Sequence, residues 1–333
     1  MVKIGINGFG RIGRAAARVI FEKNLPVQIV GINDLSENDI LSHLFQFDST
    51  FGKFFGTVNF GKDFLEINNQ KIKTFSERNP ENIDWKGVGA DVILECTGVF
   101  RTRELAENHL KSGAKKVVIS APAKGEVDGT FVIGVNEKNF DLQKHKIISN
   151  ASCTTNCLAP VAKILDENFG IQRGLMTTIH SFTGDQRILD APHRDFRRAR
   201  TASESMIPTS TGAAKAVGLV LPNLLGRLNG IAIRVPTSNV SLVDLTVELK
   251  NKVSSNDINE VVKKEAEGRL KGILEFEEKP LVSRDFLKNS HSSIFDASQT
   301  MVIENTVKVL SWYDNEWGYS NRLVDLAIIA GGE

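Results

Sequence analysis

The segment Asn150-Ala-Ser-Cys-Thr-Thr-Asn-Cys157 sets a thiol among small capping residues, where the apolar run Lys146–Ser149 gives way to apolar residues at helical spacing from Leu158 to Phe169. Cys153 is thereby predicted in the first turn of a helix, with Ser152, Thr154 and Thr155 capping the same end. Unsatisfied N–H groups and the positive end of the helix dipole favour a thiolate there, so the expectation is a lowered thiol pKa and a nucleophile near neutral pH. Cys96, inside the apolar run Asp91–Cys96, reads as inert core. A thiolate works best beside a base. Of the six histidines, His180 alone ends a strand pattern, Leu175–His180, and opens a Ser/Thr/Gly loop, Ser181–Asp185. Local sequence does not say whether it meets Cys153.

A second constellation binds rather than reacts. Gly8-Phe-Gly10-Arg-Ile-Gly13 is weak evidence alone in a chain with 27 glycines, but it follows a strand pattern, Lys3–Asn7, and opens a helical one, Arg11–Glu22. A further buried strand, Gln28–Asn33, then ends at Asp34, about 20 residues past the last glycine. Gly8, Gly10 and Gly13 let the backbone approach a pyrophosphate, and the Asp34 carboxylate can accept both ribose hydroxyls of NAD while repelling a 2'-phosphate. Thr97-Gly98 and Ser120-Ala-Pro122 stand where strands end, as cofactor contacts or as ordinary turns. Anion sites are suggested at Pro208–Gly212, which precedes a helix, and at Arg234, which closes the strand Ile231–Arg234; Arg197, Arg198 and Arg200 cluster in a loop, with at least one expected to face solvent or another subunit.

The surrounding pattern must position these groups. Near-continuous apolar runs at Asp91–Cys96, Lys116–Ser120, Phe131–Val135 and Lys146–Ser149 predict buried parallel strands, and alternating runs between Thr57 and Phe75 predict an antiparallel insertion. After Gly170, alternating strands at Gly174–Ile179, Ile231–Val235, Val240–Leu249 and Thr306–Trp312 join amphipathic helices at Thr211–Leu221 and Asn256–Leu270. The fold class is therefore α/β: an N-terminal Rossmann dinucleotide-binding domain over residues 1–151, then an α+β catalytic domain over 152–315 with a mixed, mostly antiparallel sheet. A last helix within 316–333 is expected to pack back on the first domain. A chain of 333 residues exceeds what one core usually serves.

Charge balance, 41 Lys plus Arg against 40 Asp plus Glu, gives no general field for nucleic acid or membrane. Three cysteines without a CxxC pair argue against a disulfide framework or structural metal. With a strand predicted from Val2 and no long apolar run, a soluble cytoplasmic protein without a leader segment is expected.

INGFGRIGR from Ile6, SNASCTTNC from Ser149, TTIHSFTGDQ from Thr177, IPTSTGAAKA from Ile207, IRVPTSNVS from Ile233 and SWYDNEWGYS from Ser311 follow one another in a familiar order. On these motifs the chain resembles, end to end, the phosphorylating glyceraldehyde-3-phosphate dehydrogenases of bacterial and eukaryotic type. The resemblance implies that Cys153 attacks the aldehyde with His180 as base, that hydride passes to NAD, and that inorganic phosphate cleaves the resulting thioester. It places Thr183 and Arg234 at the substrate phosphate, and Ser152, Thr154, Arg198, Thr211 and Gly212 at the attacking phosphate. Arg11, Ile12, Asp34, Arg78, Ser120 and Asn315 fall where the family contacts NAD, and a homotetramer is implied. Ala191-Pro192 stands where NAD-preferring relatives have Leu-Pro and NADP-using photosynthetic ones Ala-Ser, which admits some NADP use; Asp34 favours NAD. Two alternatives remain open: an erythrose-4-phosphate dehydrogenase, or a non-enzymatic thiol redox sensor or RNA-binding protein.

Overall fold

A computed structural model of the chain describes residues 1–332, which divide into two compact units. The first comprises residues 1–131, 137–151 and 320–332; the second comprises 132–136 and 152–319.

In the first unit, β1 (Val2–Asn7), α1 (Arg11–Glu22) and β2 (Val27–Asn33) lead through α2 (Asn38–Gln46) and a two-residue pair, β3 (Phe47–Asp48) and β4 (Gly52–Lys53), to β5 (Val58–Gly61), β6 (Phe64–Ile67) and β7 (Gln70–Phe75). Then come α3 (Trp85–Val88), β8 (Val92–Glu95), α4 (Arg103–Lys111), β9 (Lys116–Ile119), β10 (Gly129–Thr130) and β11 (Ile147–Ser149). Nine strands form one sheet in the order β10-β11-β9-β8-β1-β2-β7-β6-β5. Its central strands are buried on both faces, as parallel strands between helices must be. The antiparallel strands β5 to β7 form where the alternating runs placed them, and β7 pairs parallel with β2, so the insertion extends the main sheet. The expected strand over Phe131–Val135 is not formed: Gly134 takes φ +85°, and Val132 O receives the N–H groups of both Val135 and Asn136, turning the chain after β10.

Residues 152–319 hold α5 (Cys153–Phe169), β12 (Ile171–Ser181), β13 (Ile207–Ser210), α6 (Ala213–Val220), β14 (Leu228–Val235), β15 (Ser241–Leu249), α7 (Ser255–Glu267), β16 (Leu274–Glu277), β17 (Ser293–Ile303) and β18 (Thr306–Tyr313). The seven strands run β13-β14-β12-β15-β18-β17-β16, with β12/β14 and β16/β17 parallel and the other pairings antiparallel. Strict alternation in β15 buries Val243, Leu245 and Val247 beneath the helices, while the opposite face carries Leu175 and Ile231 exposed. α8 (Trp317–Gly331) begins in this unit, and its residues from Ser320 on belong to the first, where Lys23 Nζ donates to Asn321 Oδ1 at 2.5 Å and Gly331 lies against Val2.

Two glycines of the opening loop are demanded by close approach. Gly8 takes φ +91° with its Cα facing the backbone of Cys96 and Thr97, and a Cβ on Gly13 would stand 2.2 Å from Gly8 O. Gly10 meets nothing within 4 Å. Gly13→Ala is therefore expected to destabilise the protein by about 2 kcal/mol, as overpacking does, and Gly10→Ala by less than about 1 kcal/mol. Urea unfolding without cofactor checks the contrast; equal losses would contradict it.

Candidate active site

Ser152 is the N-cap of α5, its Oγ accepting from Thr155 N–H at 3.0 Å, so the chain turns into the helix with Cys153 as its first residue. Ala151, just before, takes φ +53°, a region that L residues seldom occupy. His180 arrives on β12, and Cys153 Sγ lies 3.5 Å from His180 Nε2. Parallel pairing sets His180 opposite Arg234 of β14, whose Nη1 lies 2.8 Å from His180 Nδ1 and donates to Ser181 O at 3.1 Å.

Nδ1 therefore faces a guanidinium and also Ser181 O, at 2.6 Å, which can only accept. The shorter contact assigns the proton to Nδ1 and leaves Nε2 bare toward the thiol. Ser181 is itself fixed: its N–H donates to Ser241 Oγ at 3.1 Å and its Oγ to Val240 O at 2.8 Å. Val240 holds that position at φ +69°, a strained state for a β-branched residue. Tyr313 OH sits between Thr154 Oγ1 and Thr178 Oγ1, 2.8 Å from each, and its ring stands edge-on to the imidazole.

Burial pushes the Cys153 thiol up, and the nearby Arg234 charge and first-turn N–H groups only partly offset this. The dipole alone therefore does not free the thiolate, correcting the expectation of a lowered pKa; desolvation outweighs it. Burial and Arg234 also push His180 down, from the ordinary 6.5 to about 3. Together these directions leave one proton on the Cys153–His180 pair across the neutral range, available for transfer between sulfur and nitrogen. Cys157, one turn on, is fully buried against Ser293 and Ser311 and pushed up to about 12, as is Cys96.

Around this pair the structure gathers cations. Arg234 has a buried Nε without a partner among the described residues, and burial followed by the charge of Arg198 lowers its pKa. Arg198 reaches Asp185 through Nη1 at 2.6 Å, Thr209 through Nε at 3.1 Å and Ser210 O through Nη2 at 3.3 Å. Thr183 and Thr211 are held within their own turns, by Gln186 and by Ala213 N–H, and Gly212 is the N-cap of α6. Arg197 donates to Pro208 O, and Arg200, exposed, pairs with Asp190. Asn315 is buried, with Oδ1 accepting from Ser241 Oγ at 2.9 Å, so its amide N–H groups are the ones left to offer. Sequence reasoning passed over Tyr313 and Asp185; the alternation of β18 put Tyr313 inward and was the available signal.

The first unit holds a cavity of about 430 Å³ lined by Gly8, Gly10, Asp34, Arg78, Thr97 and their neighbours. Asp34 Oδ2 accepts from Phe9 N–H at 2.8 Å and Oδ1 from Ser36 N–H at 3.0 Å, which fixes the carboxylate at the cavity wall. Arg11, Ile12 and Gly13 form the first turn of α1 outside that lining, with Arg11 paired to Asp48 at 2.5 Å. Ser120 stands at the end of β9 beside Cys96, also outside it. The open backbone at Gly10, a helix N-terminus and a fixed carboxylate fit an adenine dinucleotide without a 2'-phosphate.

Residues 2–103 match the family described as glyceraldehyde 3-phosphate dehydrogenase, NAD binding domain, and residues 152–315 match the corresponding C-terminal domain. A glyceraldehyde-3-phosphate dehydrogenase of Geobacillus stearothermophilus is 57% identical over 98% of this chain and 97% of its own length. Glyceraldehyde-3-phosphate dehydrogenase 1 of Bacillus subtilis (strain 168) is 56% identical over the same shares, and glyceraldehyde-3-phosphate dehydrogenase 2 of Streptomyces avermitilis is 52% identical over 100% of this chain and 99% of its own. With both halves matched and the thiol, the imidazole and the glycine loop in place, the chain belongs to the glyceraldehyde 3-phosphate dehydrogenase family.

Proposed function

We propose that the protein catalyses the NAD-dependent oxidative phosphorylation of D-glyceraldehyde 3-phosphate to 1,3-bisphosphoglycerate, as a cytoplasmic homotetramer with the division of labour read from sequence: residues 1–151 bind NAD and residues 152–315 carry the chemistry. The observation that carries the reading is Cys153 Sγ 3.5 Å from His180 Nε2, with Arg234 against the same imidazole, in a chain of this family.

Cys153 Sγ attacks the aldehyde carbon, and its proton passes through His180 Nε2 to the new oxygen, giving a thiohemiacetal. His180 Nε2 then takes the hydroxyl proton as hydride leaves that carbon, and a thioester remains on Cys153. NAD, when bound, supplies the two-electron acceptor for that hydride. Inorganic phosphate attacks the thioester carbonyl, the C–S bond breaks with its electron pair returning to Sγ, and the phosphate proton ends on sulfur. The proton on His180 leaves to solvent. Arg234 and Thr183 hold the substrate phosphate, Arg234 gaining through Nε the anionic partner it lacks. Ser152, Thr154, Arg198, Thr211 and Gly212 serve the attacking phosphate, for which Asp185 must yield Arg198. Gly8, Gly10, Arg11, Ile12, Gly13, Asp34, Arg78, Thr97, Ser120 and Asn315 serve NAD.

Steady-state kinetics test this directly. Turnover should require phosphate, favour glyceraldehyde 3-phosphate over erythrose 4-phosphate, and favour NAD over NADP in kcat/KM by at least about tenfold, roughly 1.4 kcal/mol. Cys153→Ser should abolish it and Cys157→Ser should leave most of it. Preference for the four-carbon aldehyde would support the erythrose-4-phosphate reading instead, and an active Cys153→Ser enzyme would sink the mechanism.

The shared proton has a pH signature. Since Nε2 takes up a second proton only below its ordinary 6.5, alkylation of Cys153 should be flat near neutrality and fall on the acid side. His180→Asn should remove the neutral plateau, leave only an alkaline rise, and slow turnover by roughly 100-fold. An unaltered alkylation profile would assign His180 to structure.

Assembly is supported by the uncovered face of the second unit's sheet, where Leu175 and Ile231 are exposed, and by the loop bearing exposed Ile188, Leu189 and Phe196. Light scattering should report four chains; a stable, active monomer would refute the tetramer.

A further inference from the structure

Beneath the dinucleotide cavity lies a buried titratable pair that the chemistry above does not use. Glu95, the last residue of β8, and His109 of α4 are both essentially inaccessible, with Glu95 Oε2 3.0 Å from His109 Nε2. The hydrogen bonds around them have a direction, because the groups at both ends of the chain can only donate. At one end, Trp85 Nε1–H donates to His109 Nδ1 at 3.0 Å. Nδ1 therefore carries no proton, so Nε2 does and donates it to Glu95. At the other end, Glu77 N–H donates to Asn33 Oδ1 at 2.8 Å, which turns Asn33 Nδ2 toward Asn7 Oδ1, at 2.7 Å. Asn7 Nδ2 is then left to donate to Glu95 Oε2 at 2.5 Å. Thr97 N–H adds a donor to Oε1 at 2.8 Å, and Thr97 Oγ1 reaches the same oxygen. Every proton of the network points at Glu95, whose two oxygens accept from Asn7, His109 and Thr97.

The members of this network are not distributed at random. Asn7, Asn33, Glu77 and Thr97 line the cavity, whereas Glu95, His109 and Trp85 do not. Asn33 grips the Glu77 backbone at both ends, since Nδ2 also donates to Glu77 O at 2.9 Å, and so sets the loop that carries Arg78. Thr97 Oγ1 accepts Val99 N–H at 3.0 Å and so sets the loop that carries Phe100. The geometry points to Glu95 as a positioning residue of the NAD site: its two buried acceptor oxygens fix both loops that wall the cavity before cofactor arrives. This rests on NAD as the occupant of that cavity. A carboxylate held by donors from several elements loses its function if one oxygen becomes an NH2 group, because a donor then faces a donor.

Calorimetric titration with NAD tests the assignment, with wild type titrated first, so that failure of wild type to bind would discredit the cavity's occupant rather than the network. Glu95→Gln is expected to raise the NAD Kd by about tenfold or more, while kcat at saturating NAD and the alkylation rate of Cys153 without NAD stay within about twofold. His109→Gln can accept from Trp85 and donate to Glu95 in the same sense, so it should keep the Kd within about twofold; His109→Leu cannot, and should raise it severalfold. An unchanged Kd in a folded Glu95→Gln protein overturns the proposal, as do His109→Gln and His109→Leu with equal Kd values. Should Glu95→Gln fail to fold, the two His109 variants decide alone.

Discussion

Parallel register between β12 and β14 sets His180 opposite Arg234, and the chemistry of this protein depends on that pairing. Side chains alternate along a strand, so a slip of one residue in β14 would send Arg234 to the other face of the sheet, away from His180 and α5. β12 is held from its other side by antiparallel pairing with β15, and the alternation of Val243, Leu245 and Val247 beneath the helices locks that register through burial. α5 packs across the same sheet and presents Cys153 at its start. The thiol, the imidazole and the guanidinium are thus brought together by hydrophobic patterning on strands that carry little polar information themselves.

Once assembled, the site works through opposed effects. Enclosure disfavours the thiolate and the imidazolium separately, while Arg234 helps the first and hinders the second. A charge in such a place is costly alone, but a proton moved 3.5 Å from sulfur to nitrogen creates both charges side by side. Ser181 O, made immobile by Ser241 and by the strained turn at Val240, fixes which nitrogen is bare. An anion arriving at Arg234 would draw off some of the positive field that now depresses His180, so substrate binding and proton acceptance are physically coupled.

The first unit solves a different problem, which is to hold loops still around a polar ligand. Backbone approach at Gly8 and Gly13 brings α1 against the strand ends, and a buried carboxyl group gathers donors from β1, α4 and the loop after β8. A buried polar group of this kind is tolerated because its acceptor sites are met by donors.

Much of this was legible in the sequence. The glycine spacing, the strand and helix patterns around it and the cap Ser152–Thr155 are local, so Gly8, Gly10, Gly13, Asp34 and Cys153 could be assigned from neighbours a few residues away. His180 was legible as a residue at a strand end, but its meeting with Cys153 was known only by resemblance. The helix dipole was also legible, and it misled, because a local rule takes no account of the enclosure that raises the thiol. Phe131–Val135 failed as a strand for a related reason: its apolar residues satisfy the pattern, yet Gly134 and the Val132 turn redirect the chain. Glu95 and His109, 14 residues apart in sequence and 3.0 Å apart in space, carry no motif at all. The sequence determined periodicity, caps and turns, since these depend on adjacent residues. Only the tertiary structure decided which buried polar groups found partners, because desolvation and hydrogen-bond direction belong to the assembled surroundings and not to any one segment.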